Sequence, residues 1–141
     1  MKDLAKELRV SKQENLEFAD LLCQANRGRC TKEAAALYHE YGAEEKYMKY
    51  LWDNLGKTNQ EYINLMDSYE KQGAWNKAEE VGLLALDKCK EDMTDIFICL
   101  IRAAWKQGDV AGAEKYYAKA RRRRKIQIEK VDEVYVLLRN S

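Results

Sequence analysis

The side chains from which chemistry could be built are few. They are one histidine, four cysteines, some paired carboxylates and a run of five basic residues. A metal site on His39 would need Cys or carboxylate ligands converging on one point. Cys23, Cys30, Cys89 and Cys99 form no C-x-x-C pair and fall in separate helical patterns. They read as reduced structural thiols, and His39 as a solvated or core histidine. Glu44-Glu45 and Glu79-Glu80 stand beside lysines, as solvated helix faces with i, i+4 ion pairs do, and not as acid–base dyads. There is no G-x-x-x-x-G-K-[ST] phosphate loop, and one histidine supports no Ser/His/Asp arrangement. The expectation is a protein that is not an enzyme, with no catalytic residue, no cofactor and no metal site.

The run Arg121, Arg122, Arg123, Arg124 and Lys125 has two readings. It can be a helix end, where the macrodipole favours cations, or a nucleic-acid contact. The whole-chain balance speaks against a dedicated nucleic-acid binder. Lys and Arg number 25 against 24 Asp and Glu, for a net charge of +1, whereas such binders carry a strongly basic face. No apolar run approaches the roughly 18 residues of a membrane span. The first ten residues, MKDLAKELRV, carry acidic groups where a signal peptide is apolar. A cytoplasmic protein without membrane contact is expected.

The elements that must position these residues are helices. The chain has no proline, and a β sandwich or barrel of this length needs several Gly- or Pro-marked turns. Leu4 and Leu8 predict a short first helix, and Ser11-Lys-Gln-Glu14 is a capping box for a second, carrying Leu16, Ala19, Leu22 and Cys23 to a stop at Gly28. Gly28 is expected to open a looser connection than Gly108. Thr31 caps a helix with Ala34, Ala35 and Tyr38 that ends at Gly42. The next carries Tyr47, Met48, Leu51 and Leu55 and stops at Gly56. Thr58-Asn-Gln-Glu61 is a second capping box. Beyond it Tyr62, Leu65, Met66 and Tyr69 lie on one helical face before Gly73, and Ala78, Val81, Ala85 and Cys89 follow. Phe97, Leu100, Ile101 and Ala104 lead to Gly108. Asp109 caps a helix with Ala113, Tyr116, Tyr117 and Ala120, and Val131, Val134, Tyr135 and Leu138 form a last stripe over about 126–139.

Part of this chain is said twice. Gln72-Gly73 and Gln107-Gly108 are 35 residues apart, and the same offset carries Ala78 to Ala113, Ala85 to Ala120 and Leu65 to Leu100. A self-match of that length marks a stacked helical array. The residues resemble the tetratricopeptide repeat, a helix–turn–helix unit. With Asn59 and Thr94 as first positions, Tyr62 and Phe97 take the aromatic fourth position, Gly73 and Gly108 the inner turn, and the four alanines the second helix. Met66 and Ile101 stand at the eighth position, where the family usually has Gly or Ala. Gly82 stands at the twenty-fourth, where it usually has a large residue, so a bulky group facing an absent one conserves volume. The best repeats are 59–93 and 94–127, with a weaker copy over 28–58. The 35-residue period also resembles the pentatricopeptide repeat of RNA binders, but Ile63 and Ile98 stand where that family reads bases, and isoleucine has no donor or acceptor.

The resemblance implies an all-α, antiparallel helix-pair solenoid of seven to nine helices filling residues 1–141 as one domain. It also implies a concave groove lined by first helices, here Ile63, Asp67, Ile98, Arg102 and Trp105, with Glu70 and Asp95 among the neighbouring charges. The family's version that grips a C-terminal carboxylate uses basic groups where this chain has Asp95 and Cys99. The function expected is non-catalytic binding of a protein or amphipathic peptide, as a scaffold or regulatory module. The alternative is nucleic-acid binding through Arg121–Lys125.

Overall fold

The computed structural model describes residues 4–55, 58–88 and 91–141, with side chains from residue 11 onward. The described residues form eight α-helices and no strand: α1 (Leu4–Ala25), α2 (Lys32–Glu40), α3 (Glu44–Asp53), α4 (Asn59–Lys71), α5 (Trp75–Lys88), α6 (Thr94–Lys106), α7 (Val110–Arg121) and α8 (Ile128–Arg139). The all-α class and the pairing of neighbouring helices are as expected. Gly56, read as a helix stop, and Cys89, read as a core thiol, lie outside the described residues. The chain divides into two compact units, Met1–Asp53 and Asn54–Ser141.

In the first unit α2 packs against both α1 and α3. Ala19, Ala34 and Tyr38 form its centre, with Leu16, Leu22, Cys23 and Tyr47 packed around them. Asp20 ties the three helices together: it accepts a hydrogen bond from the Tyr38 hydroxyl and one from Lys46 Nζ at 2.9 Å. These two donors, Lys46 first, hold the Asp20 carboxyl below its usual range. Thr31 caps α2 as predicted, its hydroxyl accepting from the Ala34 amide at 3.1 Å.

The break predicted before Ser11 is absent, and α1 runs through it. The stretch holds no Gly or Pro and is rich in Leu, Lys and Glu, all good helix formers. Ser11 is an exposed mid-helix residue whose carbonyl accepts from Asn15 Nδ2 at 2.7 Å, so the S-x-x-E pattern sits on a surface and caps nothing. Thr58 does precede α4 in extended backbone, but its hydroxyl makes no cap bond.

The second unit is built around α6, which packs against α4, α5, α7 and α8. Ala78, Ala85, Ala113 and Ala120 are all fully buried, and small side chains at a crossing let helices approach closely. The closest approach is at Gly82 in α5. A Cβ there would lie 2.6 Å from Met66 Cε of α4 and 2.6 Å from Leu100 Cδ2 of α6. The exchange of bulk between the eighth and twenty-fourth positions is therefore a physical contact.

The turns repeat as well. Gly42, Gly73 and Gly108 have φ of 79°, 73° and 79°, in the left-handed region that favours glycine. After each, an amide reaches back five residues: Ala43 to the Tyr38 carbonyl at 2.8 Å, Ala74 to Tyr69 at 2.9 Å, Asp109 to Ala104 at 2.9 Å. Gly28 does open the longer connection, with 26–31 between α1 and α2 against 107–109 between α6 and α7, yet it is held in a similar way. Its own amide bonds the Cys23 carbonyl at 2.9 Å, and Arg27 before it is also left-handed, at φ 59°.

Polar ties recur with the same period. Asn59 Nδ2 donates to the Asp92 carbonyl at 2.7 Å, and 35 residues on the Thr94 hydroxyl accepts from the Gln127 amide at 2.9 Å. Asp109 caps α7 as predicted, accepting from the Gly112 amide at 2.9 Å. The final stripe is a separate helix, α8, joined to α7 through Tyr117, whose ring stacks on Tyr135 at 4.1 Å and whose hydroxyl bonds Asp132.

Gly82 yields a test. Gly→Ala in a helix interior ordinarily gains about 1 kcal/mol, whereas overpacking a core costs about 1–3 kcal/mol. Met66 and Leu100 are both fully buried, so Gly82→Ala should lower unfolding free energy in urea. Met66→Ala, which alone should cost about 2–5 kcal/mol, should cost less in the Gly82→Ala background, with a coupling of about 1 kcal/mol or more. Additive effects would contradict the contact.

Candidate functional site

Eight of the thirteen residues of α6 are buried: Thr94, Ile96, Phe97, Cys99, Leu100, Ile101, Ala103 and Ala104. What four packed helices leave uncovered is Asp95, Ile98, Arg102 and Trp105, with Lys106 at the end. Spacings of i, i+3, i+7 and i+10 put the first four on one stripe. On α4 the matching row is Ile63, Asp67 and Glu70. Arg102 Nη1 meets Glu70 Oε2 at 3.0 Å and joins the two rows. Ile63, Ile98 and Trp105 are half-buried, and Asp67 is exposed, 3.3 Å from Lys71 one turn along its own helix. Such a surface pair is worth about 0–1 kcal/mol.

Glu70 departs from expectation. The sequence puts it among the charges beside the groove, yet its side chain is only 8% exposed and its Oε1 is buried with no hydrogen-bond partner. Burial pushes its carboxyl above the usual range, and the Arg102 charge opposes that shift. The Cys99 thiol beside it is pushed up to about 12, first by burial and then by the Glu70 charge. Arg102 thus stands in an ion pair across helices. Sequence reasoning missed this because the partner is 32 residues away, with no local spacing to announce it.

A cleft of about 340 Å³ opens where α4 and α6 begin, among Asn59, Ile63, Glu91, Asp92, Asp95 and Gln127. It takes Ile63 and Asp95 from the two rows but not Ile98, Arg102 or Trp105. Asp92 is its most constrained acid. Oδ1 accepts from the Thr94 amide at 2.9 Å and from the Thr94 hydroxyl, and Oδ2 from Gln127 Nε2 at 3.2 Å. The Thr94 bonds hold the Asp92 carboxyl below its usual range.

The basic run splits in use. Arg121 ends α7 and Arg122 follows as its C-cap, while Arg123, Arg124 and Lys125 lie in the connection to α8. All five are exposed. The Arg121 guanidinium lies 5.8 Å from the centre of the Tyr117 ring, and that of Arg123 lies 5.3 Å from the buried Phe97 ring. His39 stacks on Tyr47 at 4.3 Å, with Nδ1 3.9 Å from Glu44. Cys23, Cys30 and Cys99 are free thiols, and burial pushes Cys30 up to about 12. Among the described residues no three His, Cys, Asp or Glu side chains converge as a metal site would require. None of the described helices is long and apolar enough to cross a membrane.

The Glu70–Arg102 pair makes a pH-dependent prediction. A carboxyl whose pKa is raised by folding destabilises the native state above its native pKa, and this penalty vanishes below the ordinary Glu value of about 4.3. Arg102→Met removes the group opposing that rise. It should therefore cost about 1–3 kcal/mol at pH 7, as for a buried group left unsatisfied, and clearly less at pH 4. Urea unfolding at both pH values measures it, and equal losses would mean the pair carries no charge-dependent stability.

Comparison of the chain with family models, with curated proteins and with solved structures found no significant match in any of the three.

Proposed function

We propose that this chain is a non-catalytic protein-interaction module, a tetratricopeptide-like helical solenoid that holds an amphipathic peptide along the α4–α6 face, as a scaffold or regulatory subunit does. The observation that carries the reading is the stripe left open on α6. Four helices cover the rest of that helix, yet the open stripe holds two large apolar side chains, Ile98 and Trp105, with Ile63 on the adjoining row. Aromatic anchors in a rigid apolar setting with charge at the edges are what a peptide-binding surface uses. The rows on α4 and α6 are held by the Arg102–Glu70 pair, so the surface is pre-organised and its binding cost is reduced.

The tetratricopeptide likeness draws support from the repeated turns at Gly42, Gly73 and Gly108 and from the alanine-lined crossings. A reducing cytoplasm suits the free thiols. Nucleic-acid binding through Arg121–Lys125 is the second reading, favoured by the exposure of all five residues. It is weakened by the aromatic contacts that Arg121 and Arg123 make inside the protein.

A partner isolated by pull-down separates the two. Truncating a central aromatic anchor commonly costs 2 kcal/mol or more. Trp105→Ala should weaken that partner roughly thirtyfold, at about 1.4 kcal/mol per factor of ten, and leave circular dichroism nearly unchanged. Arg122→Glu with Arg124→Glu should change affinity little. If the arginine pair abolishes binding while Trp105→Ala is neutral, the working surface is the basic run.

A further inference from the structure

Two thiols meet in the first unit, away from the α4–α6 face. Cys23 stands in the last turn of α1, and Cys30 lies in the connection that leads to α2. Between them Arg27 and Gly28, both left-handed, turn the chain back, and the Gly28 amide closes on the Cys23 carbonyl at 2.9 Å. Both side chains pack on the Ala19, Ala34 and Tyr38 cluster, and the two thiols are hydrogen-bonded to each other. Cys23 Sγ also lies 3.7 Å from the Tyr38 hydroxyl. That hydroxyl donates to Asp20, which Lys46 holds from α3. The thiol pair thus ends a polar line that crosses all three helices of the unit. Cys23 and Cys30 are half-buried, within reach of a small oxidant, whereas Cys99 is buried.

We propose that Cys23 and Cys30 are a redox modification site, which a low-molecular-weight disulfide such as glutathione disulfide converts to an intramolecular bridge fastening the end of α1 to the start of α2. The Cys23 thiol gives its proton to water, and its sulfur attacks one sulfur of the oxidant. The S–S bond of the oxidant breaks, and one glutathione leaves as a thiolate. Burial keeps Cys30 protonated, which gives the first step to Cys23. The departing thiolate takes the Cys30 proton. The Cys30 sulfur then attacks the Cys23 sulfur, and the second glutathione leaves with the proton that Cys23 gave up. Two electrons pass from the cysteines to the oxidant, and two reduced glutathiones result. In a reducing compartment the pair stays open, and it closes when the oxidant accumulates. The first unit spans only Met1–Asp53, and its centre is two alanines and a tyrosine. A unit that small buries a modest share of its surface, and small domains are commonly stapled. The bridge confines the unfolded chain, while the native turn is already closed by the Gly28 amide. Oxidation therefore sets the stability of α1, α2 and α3 and leaves the packing around α6 unchanged.

The test equilibrates the full chain in glutathione buffers of rising oxidised fraction, quenches with acid, and reads mass, tryptic peptides and amide hydrogen exchange. The chain should lose two hydrogens, and trypsin should release residues 13–27 joined to residues 30–32. Dithiothreitol should reverse both changes. In the bridged chain the amides of Ala35 and Tyr38 should exchange about tenfold or more slower, as closure of a short loop in the unfolded chain warrants. Those of Leu100 and Ile101 should be unchanged. Cys30→Ala should carry one glutathione on Cys23 and form no bridge. A bridge to Cys89 or Cys99, a bridge between two chains, or a separate glutathione on each of Cys23 and Cys30 would overturn the proposal. So would a chain that stays reduced in excess glutathione disulfide. A bridge that forms yet leaves exchange at Ala35 and Tyr38 unchanged would also overturn it, since oxidation would then control nothing in the first unit. The peptide map of the unsubstituted chain decides these outcomes even if Cys30→Ala folds poorly.

Discussion

The second unit depends on the burial of one helix. Phe97, Leu100 and Ile101 are fully buried and each contributes about 1.5–3 kcal/mol relative to exposure. Ile96, Ala103 and Ala104 close the remaining gaps. A helix apolar on most of its circumference needs neighbours on most sides, and α6 has four. Its position in turn dictates the others. Gly82 brings α5 into the angle between α4 and α6, where Met66 and Leu100 occupy the space a side chain would need. Tyr116 of α7 reaches back to Glu79 of α5 with a 2.7 Å hydrogen bond, so the helices flanking α6 are joined to each other as well.

The open stripe on α6 is the consequence. A helix held on most sides cannot roll to hide Ile98 and Trp105, and the Arg102–Glu70 pair fixes the neighbouring row. The pair sits where both packing and charge are demanding. Glu70 is buried, with the Arg102 guanidinium on one oxygen and the Cys99 thiol beside the carboxyl. The polar ties at the other end of the rows, Asn59 to Asp92 and Thr94 to Gln127, fix the helix starts at one spacing. Between these two ends the face is tied at both extremities, with the acidic cleft at one of them.

Much of this was legible in the chain. The 35-residue offset located the glycine turns at 73 and 108, and the buried stripes Tyr62–Leu65–Met66 and Phe97–Leu100–Ile101 followed from helical spacing. The caps at Thr31 and Asp109 followed from side-chain chemistry. The failures share a cause. Ser11-Lys-Gln-Glu14 has capping-box chemistry, but a box caps only where something stops the preceding helix, and nothing there does. The burial of Glu70 and its pairing with Arg102, the thiol of Cys99 against that carboxylate, and the meeting of Glu91, Asp92 and Asp95 with Asn59 all depend on residues about 30 positions apart. Periodicity reports which face a residue occupies and is silent on what stands opposite. The face of Ile63, Ile98 and Trp105 was readable by register, whereas the acidic cleft required the packing of α4 on α6.

The proposed role requires α6, held in place by its neighbours, to present Trp105 to a partner. A variant with Trp52→Phe and Trp75→Phe leaves Trp105 as the single indole and lets its fluorescence report that side chain alone. As a half-buried residue it should be quenched by iodide in the free protein. At saturating concentrations of an isolated partner, its emission should move to the blue and its quenching should fall severalfold. Unchanged emission and unchanged quenching at full binding would contradict that role.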